Sequence, residues 1–207
     1  MTLAKGYLIR PPKAYRWIFP DALFRKDPSV KKVYLTFDDG PHPEVTQAAL
    51  GTLNLHGVRA TFFMLGENAK KHPGLMEEVR KEGHIIGNHG MHHLNGWTSS
   101  TERFERDVQE GKKVTESNLF RPPYGKLSLF QYGRIKQTEE IVFWDVISGD
   151  FDRTINAEQV FTNVVNNVRN GSIIVMHDSE KAKKNLAGSL SRIIEELKIQ
   201  GYEFDLL

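Results

Sequence analysis

Short apolar runs alternate along this chain with amphipathic, helix-like segments, and almost nothing between them carries the turn chemistry of a hairpin. Val33 to Phe37, Ala60 to Leu65, His84 to Ile86, Ile141 to Val146, Ile173 to Met176 and Tyr202 to Leu206 read as strands. Pro43 opens a helix running to about His56, and a helical pattern ending at Lys81 sets Leu75, Met76 and Val79 on one face. Thr101 to Ser117 is a mostly polar helix, Ala157 to Arg169 buries a stripe of Val160, Phe161, Val164, Val165 and Val168, and Ser189 to Lys198 is the last helix. Ile173 to Met176 is almost wholly apolar, as a strand covered on both faces must be. This repeated strand-then-helix order leaves a parallel α/β architecture, either a barrel or a doubly wound sheet.

A chain of 207 residues with no repeat, low-complexity tract or Gly/Ser linker reads as one core domain. Residues 33–207 form that domain, and 1–32 read as a lead-in segment packed on it. Within the lead-in, Tyr15-Arg16-Trp17-Ile18-Phe19-Pro20 is aromatic enough to bury across the core, membrane contact being the alternative. A net charge of +2 implies no nucleic-acid partner. With no cysteine there is no disulfide, thiolate site or thiol nucleophile, so any metal is left to His and carboxylate ligands. No stretch approaches the roughly twenty apolar residues of a membrane span. The N-terminus has Lys5 and Arg10 but no apolar h-region, so the expectation is a cytoplasmic protein.

The polar residues favour the barrel. Asp38-Asp39, His89, Asp150 and His177 all fall at or just beyond the C-terminal ends of expected strands, the edge where α/β folds gather their chemistry. Asp38-Asp39-Gly40-Pro41 alone could be a turn. With His89, His93 and His177 downstream, the chain holds two imidazoles and a carboxylate for a metal, a second carboxylate as base and another His as acid. That set suits metal-assisted hydrolysis of an amide or ester. His89 and His93, four apart, fit one side of a helical turn, although His92 at three is also usable. His42 either touches substrate or sits in an exposed turn, while His56, His72 and His84 read as structural or exposed. Asp178 orients a strand end, and the charged stretches Thr101 to Asp107 and Glu180 to Lys184 read as solvated faces.

Four ordered motifs carry a resemblance: Thr-Phe-Asp-Asp-Gly-Pro at 36–41, His89-Gly90-Met91-His92-His93, Arg-Pro-Pro-Tyr-Gly at 121–125, and Ile174-Val175-Met176-His177-Asp178. Over residues 33–207 the chain resembles the polysaccharide deacetylases, the NodB-homology domain of carbohydrate esterase family four. The resemblance implies a distorted, incomplete (β/α) barrel and one divalent metal. It makes Asp39, His89 and His93 the metal ligands, preferring His93 to His92, with Asp38 as general base and His177 as the acid that protonates the leaving amine. It further implies that Arg121 orients Asp38, that Asp150 supports protonated His177, that the Tyr124 N–H faces the oxyanion, and that Phe151 and Val175 wall the acyl pocket. Zinc is the default metal, and cobalt, nickel, iron or manganese suit the same ligands.

Against the family's Trp-Asp-Val-Asp-Ser-x-Asp-Trp, this chain has Trp144-Asp145-Val146-Ile147-Ser148-Gly149-Asp150-Phe151, losing an acid at 147 and a Trp at 151. Asp152 lies near enough to restore some polarity. Gly90 replaces the usual Ser or Thr and its hydroxyl. The expectation is removal of an N-acetyl group from an amino sugar in a chitooligosaccharide, peptidoglycan fragment or related glycan, by water that the metal activates. The alternatives are a deformylase or amidase on a small non-polymer amide, and a catalytically silent carbohydrate-binding homologue.

Overall fold

The computed structural model describes residues 7–207; Lys5 and the rest of the first six lie outside it. Among the described residues there are eight strands: β1 (Lys32–Asp38), β2 (Thr61–Met64), β3 (Ile85–Asn88), β4 (Leu119–Phe120), β5 (Glu140–Ile141), β6 (Val146–Ile147), β7 (Ile173–His177) and β8 (Glu203–Phe204). The helices are α1 (Ala14–Ile18), α2 (Pro43–Leu55), α3 (Gly66–Lys71), α4 (Pro73–Lys81), α5 (Thr101–Thr115), α6 (Leu129–Ile135), α7 (Ala157–Val165) and α8 (Lys183–Ile199). All pairings between named strands are parallel, in the order β5-β4-β3-β2-β1-β7-β6, with β8 on the start of β1.

The sheet curls into the expected incomplete barrel, and its seam is where the expected strand Ile141 to Val146 divides. Residues 140–141 pair with β4 and 146–147 with β7, so the segment between them carries the chain across the gap. Leu23 of the lead-in fills that gap: its N–H donates to the Ile141 carbonyl at 2.8 Å, and its own carbonyl accepts from Phe143 at 2.8 Å. These bonds satisfy backbone groups that a broken ladder would otherwise leave unpaired.

Local chemistry explains most boundaries. Pro43 begins α2 behind His42, whose ring accepts from the Val45 N–H. The helical pattern ending at Lys81 is two helices, because Pro73 cannot continue α3 and starts α4. Ser128 with Gln131, and Asn156 with Gln159, form capping boxes at the starts of α6 and α7. The last helix starts at Lys183, six residues before the expected Ser189. No helix among the described residues is long and apolar enough to cross a membrane.

Two large hydrophobic clusters, with a smaller third of Tyr34, Phe63, Val142 and Ile173, hold the layers together. One packs Leu35, Phe37, Phe62, Ile174 and Met176 of the sheet against α2, α7 and α8. The other is aromatic and joins Phe19 and Phe24 of the lead-in to Phe104, Phe120, Tyr132 and Phe143. Phe24 stacks on Phe143 with ring centroids 4.7 Å apart. Burial of each such ring contributes up to about 3 kcal/mol.

Candidate active site

Parallel register gathers the polar residues on one edge. Asp38 lies opposite Phe63 on one side and His177 on the other, Met64 lies opposite Asn88, and Asn88 lies opposite Phe120. The residues that follow these strand ends, Asp39, His89 and Arg121, therefore emerge together at the C-terminal rim.

Asp39, His89 and His93 converge there, each offering a ligand atom within 4.8 Å of the others. Asp39 Oδ1 lies 3.2 Å from His93 Nε2 and 3.7 Å from His89 Nε2. It is buried without a hydrogen-bond partner. A buried carboxylate oxygen left unpaired between two imidazole nitrogens fits a divalent cation, which would satisfy all three at once. His89 Nδ1 lies 2.8 Å from the Arg121 carbonyl, fixing the tautomer whose Nε2 lone pair faces Asp39. Burial pushes the His89 imidazole down to about 4 against the pull of Asp38, so the ring is neutral at physiological pH. Burial alone would raise Asp39, but His93, His177 and His89 hold it well below the usual carboxylate range.

The backbone between the two imidazoles is a loop, which corrects the helical-turn reading of their spacing. β3 ends at Asn88, and both Gly90 and His93 adopt positive φ, 81° and 54°. The loop's organiser is Asp107 on α5. Its Oδ2 accepts from the Met91 N–H at 2.9 Å and the His92 N–H at 3.3 Å, while Oδ1 lies 2.7 Å from His92 Nδ1. His92 is thereby turned away from the ligand cluster and paired with Asp107. A Cβ on Gly90 would come within 2.7 Å of Asp107 Oδ2, so glycine and the buried acid replace the hydroxyl that usually orders this loop. Sequence reasoning took Thr101 to Asp107 for a solvated face and missed Asp107, which is only 5% exposed. The signal was present: Phe104, Asp107, Val108, Gly111 and Thr115 share the buried stripe of α5.

Asp38 is held by Arg121. The guanidinium donates to Asp38 Oδ1 at 2.6 Å and Thr36 Oγ1 at 2.7 Å, reaches the carbonyls of Val142 and Phe143, and stacks 4.0 Å from the Phe63 ring centroid. The Arg121 side chain is wholly buried, with carboxylate, hydroxyl and carbonyl acceptors around it. His177 is held by Asp150. Oδ2 of that carboxylate accepts the His177 backbone N–H at 2.8 Å, and Oδ1 lies 2.8 Å from its Nδ1. Burial opposes protonation of His177, but the Asp150 charge and hydrogen bond dominate and push it up to about 9.

Tyr124 occupies the 123–125 turn with φ 60°, and its ring lies 4.5 Å from that of His93. No protein acceptor takes the Tyr124 N–H among the described residues. Phe151 lies 4.8 Å from the His177 ring and lines the cavity of about 560 Å³ in front of these residues. Val175 does not line it. It is fully buried on β7, and strand alternation places it one layer beneath His177, so Ile147 and Trp144 form the wall instead. A further wall comes from Tyr7, Leu8, Pro11, Pro12 and Tyr15, residues of the lead-in that no motif assigns to the site. Asp152 acts on Tyr7: burial and the Asp152 carboxylate together push the phenol up to about 12.

The other candidates have structural work. His42 caps α2 and lies 3.6 Å from Glu180, outside the cavity. Asp178 accepts from the Gly40 N–H at 3.0 Å and Thr46 Oγ1 at 2.6 Å, clamping the turn after β1. His84 accepts from the Ala60 N–H, and His56 contacts Ser191.

Residues 25–134 match a family model described as polysaccharide deacetylase. Over 181 residues the chain is 38% identical to a peptidoglycan-N-acetylglucosamine deacetylase of Bacillus cereus, covering 84% of this chain and 85% of that one. It is 36% identical to a peptidoglycan-N-acetylglucosamine deacetylase of Listeria monocytogenes, covering 84% of this chain but only 37% of that longer protein. The fold superposes with a TM-score of 0.86 on a solved peptidoglycan N-acetylglucosamine deacetylase in complex with a naphthalenyl N-oxidanyl-benzamide. That protein is 32% identical, and the match covers 93% of this chain and 94% of the other.

Proposed function

The chain belongs to the polysaccharide deacetylase family, and from that premise we propose that it hydrolyses the N-acetyl amide of an amino sugar within a glycan. The observation that carries the proposal is the unpaired Asp39 Oδ1 between His89 and His93, flanked in one cavity by the Asp38–Arg121 and His177–Asp150 pairs. A divalent metal held by Asp39, His89 and His93 would supply Lewis-acid polarisation of the acyl carbonyl and a more acidic water.

The protein's own groups do the rest. Asp38, aimed by the Arg121 guanidinium, takes the proton of the attacking water. The free Tyr124 N–H meets the negative charge that develops on the carbonyl oxygen. His177, protonated at neutral pH through Asp150, gives its proton to the departing amine. A sugar amine leaves poorly without that proton, so acid and base are both required. Phe151, Ile147 and Trp144 offer the acyl methyl an apolar wall that excludes water.

The relatives' names support peptidoglycan as the source of the glycan. A panel of N-acetylglucosamine oligomers and peptidoglycan fragments, assayed for released acetate with zinc present, tests the reading. Acetate released by wild type and not by Asp38→Asn supports it. Release of formate alone from an N-formyl amide would move the assignment to a deformylase, and no release from metal-loaded protein would make the chain a silent binding homologue.

A further inference from the structure

Beside the metal-ligand loop stands a platform that the hydrolytic machinery does not use. Trp97 is 60% exposed, yet the loop carrying it is firmly held. Its N–H donates to Asn95 Oδ1 at 3.0 Å, and the buried Gln131 amide donates to the carbonyls of Gly96 at 2.8 Å and Ser99 at 3.3 Å. The buried Gln131 amide holds the loop backbone, so the exposed Trp97 ring is presented at one place beside the site.

The platform is continuous with the site. Lys126 Nζ lies 5.1 Å from the Trp97 ring centroid and 5.7 Å from that of Tyr124, whose ring in turn meets His93. Lys126 lines the catalytic cavity. Lys181, which lines the same cavity, has no aromatic ring at cation–π distance among the described residues. Lys126 has no carboxylate at ion-pair distance among the described residues and is steadied only by the two rings.

We propose that Trp97 and Lys126 form a subsite for a carboxylate-bearing sugar next to the one whose amide is cleaved. The Trp97 face packs against the C–H face of the pyranose ring, and the Lys126 ammonium pairs with the carboxylate. The proposal rests on the deacetylase reading and narrows its substrate to an acidic glycan.

The test compares acetate release from two N-acetylated tetramers that differ only in a carboxylate on the sugar flanking the reactive one, at low ionic strength. Wild type should prefer the acidic tetramer by about ten-fold in kcat/KM, with the preference shrinking as salt is added. Lys126→Gln should lose the preference through KM, Lys126→Arg should retain it, and Trp97→Ala should raise KM for both tetramers. Lys136→Gln, altering a lysine paired with Asp21 outside the cavity, should change nothing. Equal use of the two tetramers by wild type, or a preference that survives Lys126→Gln, overturns the subsite. If metal-loaded wild type releases no acetate from either tetramer or from N-acetylglucosamine, the deacetylase reading has failed instead. Isothermal titration with the same tetramers then decides the subsite by the same ten-fold preference and the same dependence on Lys126.

Discussion

Asp150→Asn should move the alkaline limb of the pH–rate profile. A general acid must be protonated to act, so activity falls as pH rises through its pKa. For His177 the rise from 6.5 to about 9 corresponds to about 3 kcal/mol in favour of the imidazolium. The Asp150 charge supplies it against the opposing effect of burial. Asparagine keeps an acceptor for His177 Nδ1 but removes that charge, so the ring returns to about 6.5, burial then being opposed only by the weaker pull of Asp39 and Asp38. At about pH 8 the protonated fraction drops from about nine-tenths to about 3%, a loss of about 30-fold in kcat, whereas at about pH 6 the loss stays within about two-fold. The assay is acetate release measured from about pH 5.5 to 10 on one saturating substrate. A loss of equal size at every pH, with the limb still near 9, would refute the assignment of His177 as the acid tuned by Asp150.

Asp38→Asn should lower turnover by about a hundred- to ten-thousand-fold while metal content, read by elemental analysis, stays at the wild-type level. It should also lower the melting temperature, since it strands the fully buried Arg121 cation at a cost of about 3–5 kcal/mol. Asp107→Ala should free the 90–92 loop and weaken metal affinity by about 10- to 100-fold in a calorimetric titration, although Asp107 is no ligand. Gly90→Ser, which restores the more usual residue, should destabilise this chain by about 1–2 kcal/mol, because φ of 81° and the nearby Asp107 carboxylate both resist a side chain. A thermal melt checks it, and a stabilised variant would contradict the account of the loop.

The sequence disclosed the sheet and the rim because their signals are local and dense. Val33 to Phe37 and Ile173 to Met176 are apolar on both faces, and the charged residues that follow them can only emerge at the strand ends. What it hid depended on partners far away in the chain. Ile141 to Val146 looks like one strand, and it divides because Leu23 inserts from the lead-in. α6 carries Leu129 and Phe130 on its exposed side, against the amphipathic pattern, so only the Ser128–Gln131 capping box marked it. Asp107 reads as solvent-facing because a charged residue usually is, and its burial is explained by three donors from a loop sixteen residues back at most. The helical spacing of His89 and His93 suggested the right proximity for the wrong reason, since Gly90 and His93 bend the loop through left-handed backbone. The Tyr7 to Tyr15 wall had no readable signal at all, because nothing in its composition says which cavity it lines.

The most direct test is a titration of acetate release against zinc added to metal-free protein, run in parallel on wild type, Asp39→Ala and His92→Ala. The account predicts activity that rises from zero and levels at one equivalent in wild type. It predicts the same curve for His92→Ala, whose ring is turned toward Asp107, and none for Asp39→Ala. Activity that persists without metal, or that saturates normally without Asp39, would contradict the claim that this rim of the barrel is a metal-centred hydrolytic site.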